Sequence, residues 1–308
     1  YAIDARTGEK RWAFNTDGKV FSSPAAADGL VYVGSYDGKL YAIDARTGEK
    51  RWAFNTDGKV FSSPAAADGL VYIGSSNRRL HAIDARTGQQ VWSFNTGGDL
   101  LRSLRWSPAA ADGLVYISGN DRRLYAIDAR TGEKHWAFNT DGKVCSSPTV
   151  SDGLVYIGGA RGRVHAIDAR TGQQLWSFNT DRLMRSSPAV ADGLVYVSCN
   201  DRRLHAIDTR TGERLWSFKS GASFANFLTS PVVADGQVYV GIDYHGLYAL
   251  EAHSGQELWS FETNESMRST PAVAHGLVYI ATNSNMLYAV QTSGSGQYHG
   301  DDAAESGS

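Results

Sequence analysis

A segment of about forty residues recurs seven times in this 308-residue chain, and that period restricts the fold more tightly than any single residue. Residues 1–32 and 41–72 are identical. Later copies start at His81, Tyr125, His165, His205 and Tyr248, drifting steadily, and an eighth start at Tyr288 soon stops. A fixed period of this length belongs to solenoids and propellers, whose units bury their apolar faces only against their neighbours. One repeat domain is therefore expected rather than two ordinary ones.

Each copy breaks into four short segments at turn residues. In the first, SSPAAA (Ser22–Ala27) leads into Asp28-Gly29, a two-residue hairpin signal. GLVYVGS (Gly29–Ser35) mixes branched and aromatic residues as a half-buried strand does. A polar loop follows, then LYAIDA (Leu40–Ala45), a turn at Arg46–Glu49, and RWAFNT (Arg51–Thr56). No segment has helical spacing. With the strands labelled A to D from the axis outward, the pattern predicts an all-β fold, a β-propeller of four-stranded antiparallel blades. Seven blades are expected, the last A–B pair joining Tyr1–Thr16 in a mixed closing blade; eight is the alternative. The propeller is expected over residues 1–291, and the polar, Gly/Ser-rich residues 292–308 as a disordered tail.

Composition excludes several classes. A formal net charge of -2 gives no gross attraction to nucleic acid or a membrane surface. No apolar run approaches the roughly 20 residues that span a bilayer, so membrane insertion is not expected. Two cysteines, Cys145 and Cys199, make no disulfide framework, and their pairing stays open. Tyr1 falls inside a repeat, so the start reads as the edge of an excised domain and leaves the compartment unknown.

The stretch Ala2-x-Asp4-x-x-Thr7-Gly8 followed by Trp12 resembles the tryptophan-docking motif of the PQQ-like (quinoprotein-type) β-propeller repeats. It recurs with Trp52, Trp92, Trp136, Trp176, Trp216 and Trp259, from Tyr1 to about Val290. The resemblance implies that each indole docks on the next blade, over the glycine peptide. Residue chemistry agrees: glycine allows a flat ring to approach, and a buried indole needs an acceptor for its N–H. Asp4, Asp44, Asp84, Asp128, Asp168 and Asp208 recur in six of the seven motifs and read as turn residues, not catalytic bases. Similar repeats occur in outer-membrane assembly lipoproteins of the BamB type and in propeller domains of bacterial Ser/Thr kinases. That implies a bacterial chain, with a lean toward an extracytoplasmic place. Dehydrogenases of this family hold their quinone beneath a disulfide between adjacent cysteines and bind calcium. Adjacent cysteines are missing here, so no cofactor and no enzyme activity are expected.

Function is expected at the upper face, where the D–A and B–C loops meet and the sequence varies most. Arg78, Arg79, Arg122, Arg123, Arg161, Arg163, Arg202 and Arg203 fall at matching B–C positions of four consecutive blades. They would form a basic arc that attracts an acidic partner, or a solvated rim. Two D–A loops are longer than the rest. One (Gly97–Ser107) carries Arg102, Arg105 and the off-register Trp106; the other (Ser220–Ser230) carries Phe224 and Phe227. Such residues suit an interface hot spot, or a plug over the channel mouth. His81, His165 and His205 share a position with Tyr1, Tyr41, Tyr125 and Tyr248 and read as strand rings, so no metal site is expected. Asp243, Tyr244 and His245 form a polar trio from which no mechanism follows. The expected function is a monomeric, non-catalytic scaffold, or a sensor domain of a larger protein, that binds a protein or anionic ligand. The alternatives are a quinone-dependent dehydrogenase and a recently duplicated or engineered scaffold without a selected ligand.

Overall fold

A computed structural model describes residues 1–97, 106–180, 182–184, 186–220, 229–267, 269–294 and, by backbone alone, 297–299. The described residues form seven four-stranded sheets and one two-stranded sheet, with no helix. The two-stranded sheet pairs Ala2–Ile3 with Lys10–Trp12. Sheet one is Ala25–Ala27, Leu30–Gly34, Lys39–Asp44 and Lys50–Asn55, strands A to D in order and all antiparallel. Sheets two to six repeat it over 65–95, 109–139, 149–179, 189–218 and 232–261. These are the blades of a β-propeller.

Strand A is three residues long where six were expected, for a local reason. Pro24 has no N–H to give a ladder. Ser22 spends its hydroxyl instead on the end of strand B, donating to the Gly34 carbonyl at 2.8 Å and accepting from the Gly34 N–H at 3.0 Å. The clamp recurs at Ser62 on Gly74, Ser186 on Ser198 and Thr229 on Gly241.

Sheet seven differs from the expected closure. Its strands Ala272–Ala274 and Leu277–Ala281 are completed by Leu287–Gln291 and Gln297–His299. Ala2–Ile3 and Lys10–Trp12, the start of the expected closing blade, form the two-stranded sheet. Part of 292–308 is structured, because Gln297–His299 ladders onto Val290–Tyr288.

By contacts the chain divides into two compact units, residues 1–159 with 167–175, and 160–166 with 176–308. Within each, core clusters form between successive sheets. In the first unit Tyr72, Leu80 and Ala82 of sheet two pack with Val115, Ile117 and Ile127 of sheet three. In the second, Tyr196, Leu204 and Ala206 pack with Val238, Val240 and Leu250. One strand-B position holds Tyr32, Tyr72, Tyr116, Tyr156, Tyr196 and Tyr239, all essentially out of solvent. Burying a side chain of this size contributes about 1.5–3 kcal/mol.

Candidate functional site

The end of each sheet that carries the C–D turn is committed to holding the sheets together. The indole N–H of Trp12 donates to the Ala45 carbonyl at 3.0 Å, Trp52 to Ala85 at 2.9 Å and Trp136 to Ala169 at 2.9 Å. In the second unit Trp176 donates to Thr209, Trp216 to Ala252 and Trp259 to Thr292. Each ring lies over a glycine in the left-handed region. A Cβ built on Gly172 (φ 73°) would sit 2.7 Å from Trp136 Cδ2. The turn is fixed by its aspartate. Asp44 Oδ1 accepts from the N–H groups of Arg46 and Thr47, and Arg51 pairs with Oδ2 at 2.7 Å. The Arg51 hydrogen bond, with those amides, holds the Asp44 carboxyl well below the usual carboxylate range. Asp4 is held down in the same way by Arg11. No carboxylate tied this way is available as a base.

The opposite end brings the D–A and B–C loops together. The Tyr36 N–H donates to the Lys19 carbonyl at 2.9 Å, and Ser76 to Lys59 at 2.8 Å. The arginines found in the sequence lie here, in two classes. Arg79, Arg123 and Arg203 begin strand C and reach sideways: Arg79 to Ser93 Oγ (2.9 Å), Arg123 to Asn139 Oδ1 (2.8 Å), Arg203 to Ser217 Oγ (3.1 Å). They brace strand D. Arg78, Arg122 and Arg202 occupy the loop tip with φ of 67°, 69° and 64°. The same position is Gly38 in sheet one and Gly162 in sheet four, at φ 87° and 76°. In sheet four Arg161 is exposed and Arg163 half-buried. Four of the arginines belong to the first unit and four to the second.

Trp106 takes the place of the clamp serine, aligned with Ser22 and Ser62. Its indole N–H donates to the Val144 carbonyl at 3.1 Å, and the ring is half-buried. Arg102, Arg105, Phe224 and Phe227 lie outside the described residues. Sequence reasoning missed an aromatic group in the first unit. Phe21, 61% exposed, stands 5.5 Å from Tyr36 and 6.4 Å from Phe61, with Tyr36 and Phe61 5.0 Å apart edge-on. Lys59 Nζ lies 4.2 Å over the Tyr36 ring. The signal was present: identical Val-Phe-Ser-Ser segments place Phe21 and Phe61 in successive D–A loops. The trio at Asp243–His245 forms a B–C turn, with Tyr244 at φ 60° and 61% exposed. Among the described residues one group has metal-donor chemistry, Cys199 with Asp201 and His205.

The family described as outer membrane protein assembly factor BamB matches residues 1–105, 78–182, 122–234 and 221–307. The chain belongs to this family. Solved structures similar to this BamB-family chain include three of different kinds. BamB from Moraxella catarrhalis is 23% identical over 91% of this chain and 88% of that one, with a TM-score of 0.78. The computationally designed Ika8 protein is 19% identical over 92% and 87%, at 0.79. Quinohemoprotein alcohol dehydrogenase ADHIIG from Pseudomonas putida HK5 is 18% identical over 92% and 66%, at 0.76. Identities this low carry the fold alone. No curated protein matches the sequence. The quinone-holding disulfide implied by the resemblance does not fit these residues, because Cys145 and Cys199 are not adjacent in sequence and are not joined in a disulfide.

Proposed function

We propose that this BamB-family propeller is a non-catalytic binding module whose loop-bearing end takes a protein or anionic partner, as a scaffold or the sensor domain of a larger bacterial protein. The observation that carries the reading is the left-handed backbone at Arg78, Arg122 and Arg202. An L-residue there costs roughly 1–2 kcal/mol that glycine does not. Sheets one and four use glycine at that position. Strain kept at matching loop tips, each carrying a cation, points to use rather than to stability. The Phe21–Tyr36–Phe61 group at the same end of the first unit, with Phe21 exposed and the other two half-buried, adds the aromatic surface that interface hot spots favour.

The test replaces all three arginines with glycine. The variant should melt at or above the wild-type temperature. It should also lose most binding to a poly-glutamate peptide and to partners captured from extracts of the source cell. Wild-type binding should weaken steeply with salt. Unchanged capture by the triple variant would sink the reading. Quinone with calcium should leave the melting temperature where it is; an upward shift would favour the dehydrogenase instead.

A further inference from the structure

We propose that Cys199, Asp201 and His205 form a binding site for a zinc-class transition metal ion at the B–C loop of sheet five. Their donor atoms, one sulfur, one carboxylate oxygen and one ring nitrogen, all lie within 4.8 Å of one another. His205 Nε2 is 2.8 Å from Asp201 Oδ2. The thiol and the imidazole are 1% and 2% exposed, so the site is walled off by the sheet.

The repeat supplies its own controls. In sheet one the same three positions are Ser35, Asp37 and Tyr41, and the tyrosine hydroxyl donates to Asp37 at 2.7 Å. In sheet three Tyr125 donates to Asp121 in the same way. Sheet two has Ser75, Asn77 and His81, with both ring nitrogens engaged: Nδ1 with Gln90 (2.9 Å) and Nε2 with Ser75 (3.3 Å). Those sets close on themselves by hydrogen bonds alone. Sheet five combines changes that none of them has together. Cysteine stands at the Ser35 and Ser75 position, histidine is at the ring position as in sheet two, and Arg214 stands where Gln90 does. His205 Nδ1 is left buried without a hydrogen-bond partner. A buried orphan nitrogen requires a reason.

The chemistry selects the ion. Sulfur with imidazole and one carboxylate suits zinc or cobalt, whereas calcium and magnesium take oxygen. Donors around a tetrahedral zinc sit about 3.5 Å apart, given bond lengths of about 2.0–2.3 Å. Closing from the present spacing needs side-chain shifts of about 1 Å. Binding then breaks the S–H bond, forms the metal–sulfur bond and releases one proton to water. Thiolate and carboxylate together balance the dication. Asp201 and His205 also line a cleft with Arg203 and Arg214, and that lining suits water or a small anion as the further ligand. This assignment runs against the expectation that ring-position histidines carry no metal.

The experiment titrates the full chain with Co²⁺ under reducing conditions, followed by its thiolate-to-cobalt charge-transfer absorption. Wild type should bind one equivalent and show the band; Zn²⁺ should displace it and raise the melting temperature. Cys199→Ser should abolish the band, and Cys145→Ser should keep it. The double variant C199S/H205Y rebuilds the Ser–Asp–Tyr set that sheet one already folds around, so it should melt normally. It should bind cobalt at least about 100-fold more weakly, since loss of outer-shell partners alone costs 10–100-fold. No band in wild type, a band that survives Cys199→Ser, or equal affinity in the double variant would overturn the assignment.

Discussion

Trp92 and Tyr72, from strands D and B of one sheet, donate to a single oxygen on the next, the Ala129 carbonyl, at 2.9 and 3.3 Å. The pattern returns as Trp136 with Tyr116 on Ala169, and as Trp216 with Tyr196 on Ala252. In these three pairs two large rings use both lone pairs of one peptide oxygen, whereas the Tyr32 hydroxyl has no partner and Tyr239 turns to Gln237. Trp136→Ala removes the ring and one of the two donors. It should cost about 3–5 kcal/mol, as other large-to-small changes at buried aromatics do. Trp136→Phe keeps most of the volume and loses the N–H, so it should cost less. Urea unfolding of the two variants gives the order, and an unchanged curve for Trp136→Ala would break the docking account.

The glycine under the ring gives a sharper comparison. Gly172 and Gly69 have nearly the same φ, 73° and 75°, but a Cβ on Gly172 meets Trp136 at 2.7 Å while one on Gly69 meets nothing within 4 Å. Gly69→Ala should cost about 1 kcal/mol of backbone strain. Gly172→Ala adds overpacking of about 1–3 kcal/mol. Melting curves should separate them clearly; equal losses would mean that the ring yields.

The period and the seven tryptophans made the sheets legible, because each depends on spacing within one repeat. What stayed hidden depended on atoms from different repeats. The pairing of Gln297–His299 with Leu287–Gln291 lay beyond the last full copy, in residues whose composition alone reads as linker. The candidate surface was half visible. Arg78, Arg122 and Arg202 stood out by charge, but their left-handed backbone shows only against Gly38 and Gly162 at the same position. Arg79 and Arg123 looked alike in sequence, yet they are tied to Ser93 and Asn139 on a neighbouring strand. The Cys199–Asp201–His205 group was masked by the repeat itself: each residue occupies a position that other copies fill without metal chemistry.

Ser62 tests the clamp that shortens strand A. Fully buried, its hydroxyl gives to the Gly74 carbonyl at 2.9 Å and takes from the Gly74 N–H at 3.0 Å. Ser62→Ala leaves both backbone groups unpaired in the interior, at a cost of about 1–3 kcal/mol. Ser63→Ala, one residue on, removes only the acceptor for the Ser23 N–H and should cost less. Denaturant midpoints of the two variants, with equal slopes, would support the clamp; the reverse order would refute it.

Alkaline pH should unfold the protein through its buried tyrosines. Burial pushes Tyr72, Tyr116 and Tyr239 up to about 12, from an ordinary value of 10.0, and Tyr196 higher still. A raised value in the folded state means that folding favours the neutral phenol. Below pH about 10 both states are neutral and the stabilisation is complete. Between about 10 and 12 the unfolded chain ionises these phenols while the native state does not, so stability falls as pH rises. Tyrosinate absorbance from Tyr72, Tyr116, Tyr196 and Tyr239 should then appear only above the ordinary phenol range, together with loss of the β-sheet circular dichroism signal. One smooth titration of every tyrosine with the sheets intact would show that the strand-B ring is open to hydroxide, and that Tyr72 and Trp92 do not seal the contact at Ala129.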